Sequence, residues 1–384
     1  MPLVVHLIDF SVRNSWVEDQ MDFFKKHGIN QGLLTISAPG EIHEAALRNG
    51  IEKVQYVRHS LSGLFHACSL LRNWSKNEKV YVYAHGHLAS IYASFIRSFT
   101  GIDFILCHHQ QPDYFSHLRK RSFFRASIHL ALARFYLIRA RRIQSFSPEV
   151  TRSLSRKRIN PNKIVEIPLG MNFGKFFEIV GKIKPEESSK VIKIVSVSRL
   201  VWEKRIDLGI RCVAHLLENG VLVEYSIVGE GPEHSNLINL VSDLGIERNV
   251  KLLGRREDVN EILNSSDIFF HLSLTESYGQ VLMEARLAGT PIFSSACGVA
   301  LEMEDLKDPI VHVFHSSDPK TIADEFFSYL MTIKSEPKLI TPNPELLYQG
   351  HDYDNVLQKV ESMFQELFES DRKIVKFLPP SSGK

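Results

Sequence analysis

The sequence predicts an α/β protein made of two doubly wound domains, each a parallel β-sheet covered by helices on both faces. Short apolar runs of strand length alternate with stretches of helical periodicity, which is typical of this fold class. The alternation lapses once, in a segment rich in Lys, Glu and Ser, and then restarts. A length of 384 residues also suits two sizeable domains better than one.

The elements fall into two series along the chain. In the first half, helical stretches such as Val17–Lys26 and Leu88–Phe99 separate strands predicted at Pro2–Phe10, Lys79–Ala84, Asp103–Cys107 and Lys163–Pro168. In the second half, strands are predicted at Val191–Ser198, Val221–Gly229, Asn249–Gly254, Asp267–Leu274, Pro291–Ser295 and Val311–His315.

These series give the expected domain boundaries. We predict an N-terminal domain over residues 1–170, a linker over 171–190 and a second domain over 191–350. Residues 351–384 are expected to supply a last helix, Asn355–Phe368, with the option of packing back on the N-terminal domain, and a mobile tail.

Charge is distributed unevenly between the halves. Residues 1–170 hold 23 Lys and Arg against 12 Asp and Glu, a balance of +11, and residues 171–384 hold 23 against 32, a balance of −9. A basic half favours an anionic partner, although a solvated basic surface is the simpler alternative. We expect a cytoplasmic protein, or one on the inner face of the membrane, because no apolar run reaches the roughly 18 residues of a membrane span.

The four cysteines indicate neither disulfides nor a structural metal. They are scattered without CxxC spacing, which is typical of a reducing compartment. They are Cys68, Cys107, Cys212 and Cys297.

Loops after the predicted strands of the second half contain residues suited to a phosphorylated ligand. Arg199 and Lys204 follow the first of these strands, and two cations on one strand-end loop suit a diphosphate. Gly229 and Gly231 follow the next strand in a tight turn. The turn is not a dinucleotide fingerprint, because His234 occupies the third glycine position.

The most informative segment runs from Thr275 to Ala285. It follows a buried strand and opens a helix, so that Glu276 falls in the loop and Glu284 inside the helix. Gly279 permits a close approach of the backbone, and amides around Tyr278–Val281 would face an anion. Two carboxylates with free amides between them suit a sugar, a ribose and a diphosphate.

Taken together, these motifs resemble the GT-B glycosyltransferases of family GT4. The runs SRLVWEK, VGEGPEHSNL, LLGRREDV and TESYGQVLMEARLAGTPI follow in that family's order, and Glu276 and Glu284 form its E-x7-E pair. The resemblance covers roughly residues 159–300. Ser198 stands where the family usually has Gly, and Ser277-Tyr278 where it often has Gly or Ser followed by Phe.

The resemblance implies two Rossmann-like domains facing across a cleft, and a role for each matching residue. Arg199 and Lys204 would neutralise the donor diphosphate, Glu276 would bind the transferred sugar and Glu284 the ribose. The segment around Arg255-Arg256 would lie near the base. The implied catalytic set is His109, Glu276, Arg199 and Lys204. The remaining implied substrate-binding residues are Gly229, Gly231, Arg256, Tyr278, Gly279, Gln280, Val281 and Glu284.

The first half matches the family only in outline. The family often has a Gly-Gly pair where this chain has the loop of residues 11–15, and Arg13 or Asn14 there is a candidate contact for acceptor or diphosphate. In the family a histidine after a later strand faces the anomeric carbon of the donor. We assign that position to His109, with His108 as the alternative, because adjacent strand residues face opposite ways.

A basic stretch in the first half indicates contact with a membrane surface. Residues 114–148 contain no acidic side chain but eight Lys or Arg, interleaved with aromatic residues. Such composition suits an anionic leaflet, whereas packing of its apolar positions into the core is the alternative.

We therefore expect a retaining glycosyltransferase that uses a nucleotide-sugar and a saccharide or lipid-linked acceptor. Neither a cofactor, a metal nor nucleic acid is expected as a partner. The run Asp352-Tyr353-Asp354 resembles a metal-binding DxD, but it precedes the last helix and is better explained as a cap. The alternatives are a sugar-nucleotide 2-epimerase of the same fold and a non-catalytic membrane- or nucleic-acid-binding protein.

Overall fold

The computed structural model divides into two compact units, each built on a parallel β-sheet. It describes residues 2–11, 15–108, 123–171, 173, 191–335 and 348–377. One unit comprises Met1–Gly170 together with Tyr353–Lys384, and the other comprises Met171–Asp352. The predicted linker at 171–190 lies outside the described residues except for Met171 and Phe173.

The first unit contains a seven-stranded sheet in the order β3-β2-β1-β4-β5-β6-β7. Its strands are β1 (Leu3–Ile8), β2 (Asn30–Thr35), β3 (Lys53–Tyr56), β4 (Val80–His85), β5 (Phe104–Cys107), β6 (Arg142–Ser145) and β7 (Ile164–Glu166). Its helices are α1 (Ser15–Lys26), α2 (Glu41–Arg48), α3 (Leu61–Trp74), α4 (His87–Thr100), α5 (Phe123–Arg139) and α6 (Pro148–Arg156), followed by a short 3-10 helix at Pro161–Lys163.

Local sequence explains why several of these elements begin where they do. Strand β1 is buried along its whole length, as its apolar run, interrupted only by His6, predicts for the centre of a parallel sheet. Helix α3 begins after Ser60, whose hydroxyl accepts a hydrogen bond from the amide of Gly63 at 3.0 Å. Ser147 caps α6 in the same way, and Pro148 occupies its first turn.

The last helix of the chain, α13 (Tyr353–Phe377), belongs to the first unit. Its Phe364 ring packs edge-on against Phe24 and Tyr83, at centroid distances of 5.6 and 5.2 Å. Two turns beyond, Asp371 accepts a hydrogen bond from Tyr81 at 2.7 Å and pairs with Arg141 at 3.3 Å. Aromatic packing and a paired carboxylate therefore fix this helix to the sheet.

The second unit contains a six-stranded sheet in the order β10-β9-β8-β11-β12-β13. Its strands are β8 (Ile192–Val197), β9 (Val223–Val228), β10 (Val250–Gly254), β11 (Ile268–His271), β12 (Ile292–Ser295) and β13 (Val311–Phe314). Its helices are α7 (Ile206–Glu218), α8 (His234–Asp243), α9 (Val259–Asn264), α10 (Gln280–Leu287), α11 (Ala300–Asp305) and α12 (Pro319–Ser335), with 3-10 helices at Trp202–Lys204 and Gln349–His351.

Both sheets have the doubly wound topology that the alternation predicts. In the second unit β8 pairs with β9 on one side and with β11 on the other, so the chain winds in opposite directions from β8. Ligands bind such sheets outside the carboxyl ends of the strands at this reversal. The prediction of two doubly wound α/β units is confirmed, and the reversal singles out the loops after β8 and β11.

Candidate functional site

The side chains at the carboxyl ends of β8 and β11 form one buried, charged cluster. Glu276, in the loop after β11, is only 7% exposed. Its Oε1 accepts hydrogen bonds from the Lys204 ammonium and from the Ser273 hydroxyl, the latter at 3.0 Å. His271 Nε2, at the end of β11, lies 3.3 Å from the same oxygen. The loops after β8 and β11 are thus joined through one carboxylate.

Lys204 and His271 hold Glu276 in its ionised form. Burial alone would raise the pKa of this carboxyl, but His271 and the Lys204 ammonium outweigh burial and lower the pKa to about 2. Lys204, Ser273 and His271 all lie against Oε1. The cluster therefore fixes the carboxylate through one of its two oxygens.

Two members of the cluster, His271 and Ser273, were missed by sequence reasoning. Both lie in the predicted strand Asp267–Leu274, which we interpreted as a buried apolar segment. Both are buried, at 3% and 1% exposure. A polar residue at the carboxyl end of an otherwise apolar strand is the signal that could have found them.

The loop that carries Glu276 ends at Gly279, where α10 begins. Gly279 has a φ of 84°, in the left-handed region that favours glycine, and an added Cβ would lie 2.9 Å from the Leu282 side chain. Within α10, Gln280 Nε2 donates to Glu284 Oε1 at 3.0 Å. Burial raises the pKa of Glu284, and the Gln280 hydrogen bond opposes that rise. Both predicted carboxylates thus lie on one short loop and helix.

Tyr278 lies between these carboxylates but faces the interior. Its side chain is 1% exposed, and its hydroxyl lies 2.7 Å from His351 Nδ1. Its carbonyl accepts a hydrogen bond from the Val299 amide at 2.6 Å. Any contact between Tyr278 and a ligand is therefore left to its backbone amide.

A cavity of about 380 Å³ lies beside this cluster, at the carboxyl ends of β8 and β9. Arg199, Gly229, Arg255 and Arg256 are among the residues that line it. Arg256 pairs with the Asp258 carboxylate through Nε at 2.8 Å and through a terminal nitrogen at 2.6 Å. The structure thus brings three of the predicted binding residues around one cavity.

The glycines of the turn after β9 have a packing reason in this structure. A Cβ on Gly229 would lie 1.8 Å from the Ser198 carbonyl oxygen, and one on Gly231 would lie 2.3 Å from the Leu200 carbonyl oxygen. The Leu200 amide also donates to Glu230 O at 2.8 Å. These glycines therefore let the loops after β8 and β9 meet in backbone contact, which places Arg199 at the cavity.

The predicted catalytic histidine cannot be placed. His109 lies outside the described residues, as do Arg13 and Asn14. His108 is buried at 4% exposure after β5, and its amide donates to Gln144 O at 3.1 Å. The assignment between His108 and His109 stays a prediction.

Comparison with known proteins identifies the second unit. Residues 181–336 match the family model for glycosyl transferases group 1. The chain is 27% identical over 186 residues to N-acetyl-alpha-D-glucosaminyl L-malate synthase of Bacillus anthracis, covering 48% of both proteins. It is 30% identical over 143 residues to the phosphatidylinositol N-acetylglucosaminyltransferase gpi3 subunit of Schizosaccharomyces pombe, covering 36% of this chain and 30% of that protein. These matches thus span about half or less of the relatives' length.

Solved structures resemble the chain over nearly its whole length. HepE of Anabaena, in complex with UDP, has a TM-score of 0.74 and 17% identity, covering 94% of this chain and 99% of that one. The same protein in complex with UDP-glucose has a TM-score of 0.72 and 16% identity, covering 95% of this chain and 99% of that one. At this identity the likeness shows the fold. The second unit thus matches the glycosyl transferases group 1 model in sequence, and the chain has the same fold as these solved structures.

Proposed function

We propose that this protein is a retaining glycosyltransferase that moves a sugar from a UDP-sugar to a saccharide or lipid-linked acceptor. The observation that carries the proposal is the buried Lys204–Glu276 pair, joined across the sheet reversal beside a cavity lined by arginines. The names of two relatives specify N-acetylglucosamine transfer, and HepE binds UDP and UDP-glucose. These names support a UDP-linked hexose or hexosamine as donor.

Glu276 has the properties needed to bind the transferred sugar. Its pKa of about 2 keeps it ionised at neutral pH, so that Oε2 accepts hydrogen bonds from sugar hydroxyls. The donors on Oε1 fix the orientation of the carboxylate before the sugar arrives. Such preorganisation matters because positive charge develops on the sugar as its bond to phosphate breaks.

Lys204 and Arg199 would neutralise the diphosphate as it leaves. Lys204 is nearly buried and pairs with Glu276, whereas Arg199 is exposed at the cavity. When donor binds, the Lys204 ammonium would be shared between Glu276 and the β-phosphate, which places sugar and leaving group on adjacent charges. Two side-chain cations at the diphosphate are the basis for proposing catalysis without a metal ion.

The cavity beside Arg199 suits the nucleoside. Its volume of about 380 Å³ lies within the usual range for small-ligand sites. Arg255 and Arg256 line it where the base is expected. Glu284, on the first turns of α10, is proposed to accept hydrogen bonds from the ribose hydroxyls. In this proposal, all four parts of the donor lie near the carboxyl ends of strands β8–β11.

A panel of UDP-sugars tests this function directly. We expect one UDP-sugar to raise the melting temperature more than UDP alone, because ligand above its dissociation constant stabilises the folded state. With a saccharide or polyprenyl-phosphate acceptor, proton NMR of the product should show the donor's anomeric configuration. Activity should survive excess EDTA.

Three results would contradict the proposal. An inverted product would remove retention, and loss of activity in EDTA that manganese or magnesium restores would remove metal independence. Conversion of the UDP-sugar to its 2-epimer without any acceptor would assign the protein to the epimerases.

The described part of the basic stretch supports contact with an anionic membrane. Helix α5 exposes Phe123 and Phe124 at 62% and 76%, and Ile128 and Leu130 at 46% and 48%. Arg125 lies among them and is exposed as well. Residues 109–122, which precede the helix, lie outside the described residues. Exposed rings next to arginines are the composition of an interfacial segment.

Peripheral contact is the only mode of membrane association that we propose. No helix within the described residues is long and apolar enough to cross a bilayer. Helix α5 also buries one face in the core. That face contains Ala126, Ala133, Tyr136 and Leu137.

A further inference from the structure

The loop that carries Glu276 is braced from beneath by a chain of three side chains within the second unit. The Tyr278 hydroxyl lies 2.7 Å from His351 Nδ1, and His351 Nε2 lies 2.7 Å from Glu302 Oε1. Because a carboxylate only accepts, Nε2 donates to Glu302, which leaves Nδ1 to pair with the Tyr278 hydroxyl. Tyr278 and His351 are buried, at 1% and 4% exposure.

The contact depends on a feature that sets this chain apart from the usual family pattern. Tyr278 stands where the family often has Phe, so this chain buries a hydroxyl that must find a partner. His351, 73 residues along the chain, supplies that partner. The Tyr278 hydroxyl and the His351 ring nitrogen therefore form a specific hydrogen bond, which apolar packing at this position would not supply.

The histidine is itself held rigidly. It ends the 3-10 helix Gln349–His351, and its carbonyl accepts a hydrogen bond from the Met171 amide at 2.8 Å. In the same segment, the Tyr348 hydroxyl donates to Asp308 Oδ2 at 2.8 Å, and Asp308 also pairs with buried Arg286 of α10. The segment of residues 348–351 is therefore tied both to α10 and to the loop before it.

The loop that carries Glu276 is also restricted by its contacts with residues 298–299. Gly298 has a φ of 58°, and a Cβ there would lie 2.3 Å from the Tyr278 carbonyl oxygen and 2.9 Å from Glu276 Cβ. The Val299 amide donates to that same carbonyl. Residues 298–299 hold the backbone of the loop, and His351 holds its Tyr278 side chain. Together these contacts restrict the position of Glu276.

We propose that His351 is a positioning residue of the donor site, which acts through Tyr278 to set the place of Glu276 and of the first amides of α10. The inference rests on the proposed function, because the loop is taken to bind the sugar of the donor. His351 touches neither donor nor acceptor in this scheme. Its effect is therefore expected on the transfer of the sugar and not on the binding of the nucleotide by the cavity at Arg199.

Three variants test the role: Tyr278→Phe, His351→Leu and the two combined. Each single change leaves a member of the Tyr278–His351 pair without its partner, and His351→Leu also removes the donor to Glu302, so each should lower the melting temperature. The double variant removes both polar groups, so its melting temperature should recover towards that of the wild type. A merely structural contact predicts that activity recovers with it.

A positioning role predicts the opposite for activity. We expect kcat/KM for the UDP-sugar to fall about tenfold or more in all three variants, including the double variant, because small misplacements at a reacting centre are costly. The dissociation constant for UDP should stay within about twofold of the wild-type value, since affinity tracks contacts in the cavity. Recovery of kcat/KM together with the melting temperature in the double variant would overturn the proposal.

The matched control is His315→Leu. His315 Nε2 pairs at 2.8 Å with Glu304, which lies on helix α11 like Glu302. This pair is exposed and does not contact Tyr278. The variant should leave kcat/KM unchanged. An equal loss in this variant would show that any His–Glu contact on α11 matters, and the specific role of His351 would be lost.

Hydrogen exchange separates this proposal from the proposed function. In the ligand-free protein, amides of residues 277–281 should exchange faster in Tyr278→Phe than in the wild type, whereas those of α7 should not change. Faster exchange in a protein that transfers no sugar would leave the brace in place and contradict only the proposed function. Unchanged exchange would overturn the brace whatever the activity.

Discussion

The two sheets place their polar side chains in different ways. In the second unit, Glu276, Lys204 and Ser273 meet in loops beyond the carboxyl ends of the strands. In the first unit, polar side chains lie inside the sheet itself: His6 Nδ1 lies 3.3 Å from His85 Nε2, and Tyr83 donates to Gln144. All four of these residues are buried.

The difference extends to charge. Glu276 stays ionised because cationic and hydrogen-bonding partners lower its pKa to about 2. His6 stays neutral because burial lowers its pKa to about 4, which a hydrogen bond to Gln31 only partly opposes. The first arrangement keeps a charge in the loops after the strands, and the second leaves His6 neutral inside the sheet. A maintained charge therefore distinguishes the candidate site from this buried polar side chain of the first sheet.

Removing one partner of the charged cluster is the strongest test of this contrast. Lys204→Ala should lower kcat/KM about a hundredfold, because a charge-assisted contact of up to ~3 kcal/mol is lost. Arg199→Ala, at an exposed position, should lower it about tenfold. Steady-state kinetics with the UDP-sugar measures both.

The control is Lys251→Ala, which removes an exposed pair with Glu224 at 3.6 Å and should leave kcat/KM unchanged. Lys204→Ala also leaves the buried Glu276 carboxylate without its ammonium partner, so the melting temperature of this variant should fall as well. Near-normal turnover in both Lys204→Ala and Arg199→Ala would remove the diphosphate assignment.

Mild acid should separate the stability of the two units. An unfolded histidine binds a proton near pH 6.5, but folded His6 does so only near pH 4, so the unfolded state binds more protons in between. The free energy of unfolding of the first unit should therefore fall by about 3 kcal/mol between pH 6.5 and 4. Burial lowers the pKa of His87 to about 4 as well, which adds in the same direction.

The second unit should respond at lower pH. The stabilisation from Glu276 is present above pH 4.5 and is lost only as pH falls from there towards about 2. Urea unfolding can be followed separately in each unit with variants that keep a single tryptophan and replace the others by Phe. Trp74 reports the first unit and Trp202 the second. His6→Leu should flatten the pH dependence of the first. Equal loss of stability in both units between pH 6.5 and 5 would contradict the contrast.

The same contrast explains how much the sequence predicted. All six strands of the second sheet were found, because each is an apolar run bounded by polar loops. In the first sheet β2, β3 and β6 were missed. Strand β2 begins with Asn30-Gln31, β3 has exposed residues at its end, and β6 places Gln144 inside the sheet. Polar residues that pair within a sheet erase the apolar periodicity on which strand prediction depends.

Part of the candidate site was predictable residue by residue, but His271, Ser273 and the contacts of the site were not. Motif order gave Arg199, Lys204, Glu276 and Glu284, because each lies on a short loop or helix start with its own local signal. The pairing of Lys204 with Glu276, 72 residues apart, depends on β8 and β11 being neighbours. The contact between Tyr278 and His351 depends on the last segment of the second unit packing against the loop after β11. No local sequence pattern predicts that packing.

Membrane contact tests whether the exposed face of α5 has a partner. Phe124→Asp should weaken binding to vesicles of phosphatidylserine and phosphatidylcholine about tenfold, since burial of a Phe side chain is worth roughly 1.5–3 kcal/mol. Wild-type binding should also weaken as salt rises, because salt screens attraction between arginines and anionic lipid. Leu222→Asp, at an exposed apolar position of the second unit, is the control. Binding that ignores salt, lipid charge and Phe124 would end the proposal.

The smallest effect is expected from Glu284→Gln, and it tests whether the two carboxylates of the motif have different roles. We propose that Glu284 binds the ribose, far from the bond that breaks, so its contacts should change little between the ground state and the transition state. Glutamine keeps the shape and one acceptor, so KM for the donor should rise about fivefold with kcat unchanged. Glu276→Gln loses the charge beside the reacting sugar and should lower kcat instead. If Glu284→Gln lowers kcat and leaves donor affinity intact, the division between sugar and ribose carboxylates is wrong, and Glu284 acts nearer the reacting carbon than we propose.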